Sequence, residues 1–467
     1  MPFRNHVKII GVTIDRKMSF IKHFQKVKKD VTSRRRLIKT ITGRHTNANR
    51  RTVIKVGNVI LTSRLCYGIE LTCRNPDSFK SILAPVYNDM IRNSSGLLPS
   101  SPAFPSCVEA GVIPFETVIA KTAARKIIGY AEKTTGDSCT ITAVENMFSS
   151  FTGNNLPEIA RLHQTRARKW DVRAPTIDME MTKLVKAGSP PEIVKQCFLN
   201  LINNKYQYHK HVYTDGSMTN GKIGSGIYET NNESFHSLPP QCTVFSAEAA
   251  AIAVALKNQL STIPVVIFTD SLSVLMAIEK DEILHPFLQL IEMLSGQNIT
   301  LCWIPGHCGI IGNIKADKLA SLGCNVTTPY FKEVPGSDVR NFITESINTR
   351  VASSWHSHQH HLRKIKSEIG IWIDRESYRE QRVLSRLRVG HARLSHAHVI
   401  STTPPPVCEA CDIRNTVEHI LLNCNKYAAL RENYKIPLSI KDALSNDPDR
   451  EQILINFLKD ARIYNQM

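Results

Sequence analysis

The chain has 467 residues, 42% hydrophobic and 21% charged, with a mean hydropathy of −0.19, which excludes wholesale disorder, a collagen-like repeat and a membrane bundle. The length corresponds to about three ordinary domains. Lys and Arg number 59 against 41 Asp and Glu, and the net +18 points to a polyanionic partner. No run of 18 apolar residues occurs and the start MPFRNHVKII lacks a signal-peptide core, so an intracellular protein, nuclear or cytoplasmic and without a membrane partner, is expected.

In chain order, Val7 to Ile14 reads as a short strand. Asp15 is then placed to cap a helix with Phe20, Phe24, Val27 and Val31 on one face and Lys22, Lys26, Lys28, Lys29 and Arg34 to Arg36 on the other, stopped by Gly43. A second helix opening near Asn49 is expected to bury Val53, Ile54, Val56, Ile60 and Leu65. These elements make residues 1–133 a basic helical module, whose charge run reads either as a solvated face or as a nucleic-acid surface. Residues 134–207 are rich in Gly, Pro and Asn and read as a connector with a few helices.

Between Tyr208 and Thr328 the balance reverses. Six lysines, no arginine and ten carboxylates give −4, so the flanks carry +22. A strand ends in Asp215, and Ile223 to Glu229 follows as an antiparallel partner. A third strand precedes an Ala-rich helix capped by Ser246, with Glu248 in its first turn. Val265 to Asp270 is a continuous apolar run suited to a buried parallel strand, delivering Asp270 at its end and followed by a helix from Ser271 to Glu279. Ile299 to Ile304 is another such strand, then comes a loop with His307, and a helix from Asn313 to Leu322 carries Asp317. A single Asp at a strand end is ordinarily a cap or turn residue. Four acids gathered around one point repel one another unless cations lie between them, so the set implies a hard-metal site.

The blocks TDGS at 214–217, SAEAAAI at 246–252, TDSLSVLMAI at 269–278 and WIPGHCGIIGNIKADKLA at 303–320 resemble those of type 1 ribonuclease H. The resemblance implies an α/β fold, a five-stranded mixed sheet flanked by helices. It also implies endonucleolytic cleavage of the RNA strand of an RNA–DNA hybrid by two Mg2+ ions, for which Mn2+ can substitute. Carried over by position, Asp215, Glu248, Asp270 and Asp317 become the metal-binding carboxylates and His307 the histidine that handles protons or product departure. The family commonly has Glu one turn before the last Asp, where this chain has Ile314, which puts the affinity of the second metal in question.

Residues 329–400 read as a helical linker and 401–467 as a tail introduced by the break Thr402–Pro406. His356, His358, His360 and His361 within the linker have no cysteine or carboxylate at ligand spacing and read as an exposed polar helix. Twelve cysteines are too sparse for a disulfide scaffold, but Cys408-x2-Cys411-x7-His419-x4-Cys424 supplies three thiols and one imidazole, the set for a closed, structural Zn2+ site. Thr416 is placed to cap the short helix presenting His419, with Leu421 and Leu422 turned inward. This cluster, together with Arg382 to His396 before it, resembles the C-terminal part of non-LTR retrotransposon polyproteins of the I-element/Jockey kind. Lys8 to Asp15 and Glu109 to Pro114 are similar to the end of the palm and the thumb of their reverse transcriptases. No Asp-Asp dipeptide occurs, so DNA synthesis is not expected. Two rival readings stay open: a catalytically weak or dead nucleic-acid-binding relic, and a DNA-cutting transposase or integrase. The sequence does not settle an oligomeric state.

Overall fold

The computed structural model describes residues 5–41, 49–72, 76–132, 139–162, 175–185, 188–259, 263–280, 284–296, 298–401 and 403–467. Gly43, Thr402 and the connector residues 134–138, 163–174 and 186–187 lie outside that set, as do the side chains of Arg35 and Arg36. The chain packs into two units, one of residues 1–124, 142–154 and 345–467, the other of residues 125–141 and 155–344. Among the described residues no single helix is long and apolar enough to cross a membrane.

The first unit opens with a hairpin rather than one strand. β1 (His6–Ile9) pairs antiparallel with β2 (Val12–Asp15) through a turn in which Ile10 and Gly11 both take positive φ. Asp15 accepts from the backbone N–H of Lys17, Ser19 and Phe20, so it closes the loop before the helix Ile21–Ile41 instead of sitting at the helix cap. Phe20, Phe24, Val27 and Val31 are buried as expected. In the next helix, Arg50–Leu65, the inward stripe runs through Val53, Ile54, Gly57, Leu61 and Leu65. Val56 and Ile60 fall one position off that 3.6-residue stripe and are only half-buried.

The expected linker and tail do not separate as packed bodies. Val383, Leu384 and Leu387 of the helix Tyr378–Val389 share one hydrophobic cluster with Val417, Leu421, Tyr427 and with Leu454 and Phe457 of the helix Pro448–Asp460. Glu109, fully buried, receives Arg50 at 3.5 Å and the Trp372 indole N–H, and Arg50 also reaches Asp374 at 3.1 Å. Arg388 pairs with buried Glu451 at 2.7 Å. The histidine patch is likewise not an exposed helix. Only His356 is exposed, while His360 caps the short helix His361–Ile365 by accepting from the Leu362 N–H at 3.1 Å.

The second unit is built on a mixed sheet in the order β3-β8-β7-β4-β5-β6. Its strands are β3 (Thr176–Asp178), β4 (Lys210–Thr219), β5 (Lys222–Glu229), β6 (Asn232–Leu238), β7 (Val265–Thr269) and β8 (Ile299–Trp303). The five expected strands are present, and the connector adds a sixth, parallel to β8. The connector also supplies the helix Pro191–Leu201, whose Val194, Phe198 and Leu201 pack on Tyr213, Phe268 and Cys302. β7 is buried at every position because helices cover both faces. The helix Ile311–Gly323 lies so close to β5 that a Cβ at Gly226 would come within 2.2 Å of the Ala316 carbonyl oxygen, so glycine is required there.

Candidate active site

Strand register places the first two carboxylates. β4 and β7 run parallel with Thr214 opposite Thr269, so Asp215 and Asp270 occupy the next position along these neighbouring strands, where that pairing ends. The sequence pattern puts Asp215 at a strand end, but it lies inside β4. β4 continues to Thr219 against β5, with Asp215 opposite Gly226, because the hairpin turn comes only at Asn220 and Gly221.

Glu248 arrives from the helix Val244–Lys257. That helix starts three residues earlier than expected. Thr243 is its cap, accepting from the Ser246 N–H at 3.4 Å, which moves Glu248 into the second turn. The helix backbone lies against β4, where a Cβ at Gly216 would stand 2.6 Å from the Glu248 nitrogen. The result is a triad in which Asp215, Glu248 and Asp270 each offer an oxygen within 4.8 Å of the others. Asp317, half-buried on the helix Ile311–Gly323, stands outside that triangle, although its charge still pushes up the pKa of Asp215 and Asp270.

Burial is the main electrostatic fact of the site. It raises Asp215 to about 7, with further repulsion from Asp270 and Asp317, and it lifts Glu248 well above the usual carboxylate range, aided by Asp215 and Asp270. Asp270 is also raised by burial, against the opposing effect of Asn313, whose amide donates to Asp270 Oδ2 at 3.1 Å. The Gly216 N–H donates to Asp215 Oδ1 at 2.9 Å. Glu248 Oε2 is buried and has no hydrogen-bond partner among the described residues. A buried, partnerless carboxylate oxygen among mutually repelling carboxylates fits a hard divalent cation such as Mg2+, held by Asp215, Glu248 and Asp270 with Asp317 beside them. His307 lies in the loop before the last helix, exposed and in the left-handed region, and its charge lowers the pKa of Asp270. The signal in sequence for Asn313 is its position four residues before Asp317, on the same helix face.

In the other unit, Cys408, Cys411, His419 and Cys424 each place a ligand atom within 4.8 Å of the rest. A tight turn brings the first two together, with the Cys408 N–H bonded to the Ile413 carbonyl at 2.8 Å and Asp412 in the left-handed region. Thr416 accepts from the His419 N–H at 3.0 Å, as expected, and Leu421 is buried whereas Leu422 is half-buried. Among the described residues neither ring nitrogen of buried His419 meets a hydrogen-bond partner, and the nearby imidazole holds the Cys408 thiol below the ordinary range. Three thiols and an otherwise unsatisfied imidazole fit Zn2+, with the Asn425 N–H donating to Cys411 Sγ at 3.3 Å as outer support.

Residues 207–325 match the family model described as RNase H. Those residues contain β4 to β8 and all four carboxylates. This part of the chain is an RNase H domain, an α/β fold with helices on both faces of its mixed sheet.

Proposed function

We propose that the protein is an endoribonuclease that cuts the RNA strand of RNA–DNA hybrids, carried in a retrotransposon-derived chain whose other unit contains a structural zinc. The observation that carries this reading is the side-by-side emergence of Asp215 and Asp270 with Glu248 inside 4.8 Å. When bound there, two Mg2+ ions supply an activated water and charge stabilisation for the scissile phosphate. The protein's own groups prepare that site. The Gly216 N–H and the Asn313 amide each fix one carboxylate oxygen, so Asp215 and Asp270 present their remaining oxygens in set directions. His307, exposed beside Asp270, is positioned to take or return a proton at the departing oxygen. Products are a 5′-phosphate and a 3′-hydroxyl, and preference for RNA rests on contacts to the 2′-hydroxyl.

The test compares an RNA–DNA hybrid with duplex DNA and duplex RNA in Mg2+ or Mn2+, for wild type and Asp270→Asn. Cleavage of the hybrid's RNA strand alone, lost in Asp270→Asn with the fold intact by circular dichroism, is the expected result. Binding of all three substrates without cleavage favours a silent binding relic, and equal cutting by the variant removes Asp270 from the site.

A further inference from the structure

The helix bearing Glu248 is anchored at its first turn by a side chain that lies beyond the RNase H match. Asp338, 3% exposed in the helix Gly336–His356, accepts from the Thr243 backbone N–H and from Thr243 Oγ1, each at 3.0 Å, and from Ser246 Oγ at 2.5 Å. With its proton given to Asp338, the Ser246 oxygen accepts from His285 Nε2 at 2.9 Å. The imidazole therefore carries its proton on Nε2, and its buried Nδ1 has no partner among the described residues. Ser246 and His285 are 0% and 5% exposed, so water does not substitute for these bonds.

We propose that Asp338 is a positioning residue for the carboxylate site, and that the working nuclease extends past residue 325 to include it. This rests on the reading of Glu248 as a metal ligand. The Glu248 helix packs along β4, β5 and the helix Pro286–Leu294, and two contacts act at its start. Its flank is pressed on Gly216, which sets its distance from β4, but a flank contact permits sliding along the helix axis. The local cap is weak against such sliding, since the Thr243 Oγ1 bond to the Ser246 N–H is 3.4 Å long. Asp338 supplies the axial stop by taking three donors at the helix start, where a carboxylate is also favoured by the unsatisfied N–H groups and the helix dipole. Metal ligands tolerate displacements of only about 0.2 Å, so a small slide of this helix removes Glu248 from the site.

Asp338→Asn in the full chain presents an NH2 to donors that need an acceptor. Mg2+ binding is read without nucleic acid, as the rise in melting temperature on titration, and again as the Mg2+ dependence of hybrid cleavage. The expected result is an Mg2+ midpoint raised about tenfold, with KM for the hybrid unchanged and activity recovering at saturating Mg2+. Ser246→Ala, which removes one of the three donors, should shift the midpoint less and in the same direction, and it serves if Asp338→Asn does not fold. Ile343→Ala, a buried change on the same helix, should lower the melting temperature and leave the midpoint alone. If Asp338→Asn or Ser246→Ala only lowers the melting temperature in the manner of Ile343→Ala, Asp338 is a structural cap and the proposal fails. Glu248→Gln separates the two levels. A shifted midpoint there with none in Asp338→Asn defeats the positioning role alone, and no shift in Glu248→Gln defeats the ligand reading and this inference with it.

Discussion

Burial of Asp215, Glu248 and Asp270 makes the site a source of pH-dependent instability in the metal-free protein. Their folded pKa values lie above the unfolded ones, so the folded state binds more protons between about pH 4 and about pH 7. Stability contributed at low pH is therefore lost as the pH rises through that window. In chelator, the melting temperature of the domain should fall over this range, and Mg2+ should reverse the fall at pH 7. Asp270→Asn should raise metal-free stability at pH 7, because it removes a buried charge that also repels Asp215 and Glu248. A flat profile in calorimetry contradicts the crowding of charge argued for the site. Ile314 belongs to the same scale. It is 40% exposed, so a glutamate there carries no burial penalty. Ile314→Glu should raise cleavage at low Mg2+ more than at saturating Mg2+, with the melting temperature nearly unchanged. Equal enhancement at both concentrations would separate Ile314 from metal affinity.

At the scale of elements, the Cys and His cluster sits on a turn and a short helical segment that share a core with the helices Tyr378–Val389 and Pro448–Asp460. A small metallo-domain without its own core unfolds when the metal is removed. Here the apolar cluster persists, so strong chelation should release one zinc per chain and lower the melting temperature while most of the far-ultraviolet helical signal remains. Complete loss of that signal would mean that the metal, not the cluster, holds these helices. The cost of removal falls on buried His419, whose two ring nitrogens are left without partners. The elements of the RNase H domain were largely readable in sequence because each is local: an apolar run, an Ala-rich stretch, a capping residue. Their ends were not, because the start at Val244 depends on Thr243 being held by Asp338, 95 residues away.

Across the whole molecule, charge divides with the packing. The unit containing the Cys and His cluster has 39 Lys and Arg against 22 Asp and Glu, and the unit containing the carboxylate site has 20 against 19. Most phosphate neutralisation on binding nucleic acid is then expected from the first unit. Arg393 and Arg414 are exposed there, and Arg414 lies near the stacked rings of His391 and His396, 3.7 Å apart. In an Asp270→Asn background, Arg393→Ala with Arg414→Ala should reduce the salt dependence of oligonucleotide binding by about two phosphate contacts, read as the slope of log K against log salt. An unchanged slope would place the contacts elsewhere on the basic surface.

Before any folding was considered, the fold class and the four carboxylates were legible through the resemblance of their motif blocks, the Cys and His set through its short spacing, and the excess of positive charge through composition. Packing supplied what spacing cannot carry. It turned one expected strand into a hairpin and drew connector residues Thr176–Asp178 into the sheet edge. It also joined Glu109 to Arg50, Trp372 and Asp374, and Arg388 to Glu451. A buried charge requires a partner, but nothing in the local sequence says which distant residue will supply it. The same holds for Asp338. As the first-turn acid of its own helix it reads as ordinary, and its contact with Thr243 and Ser246 exists only because long-range packing brings two helix starts together.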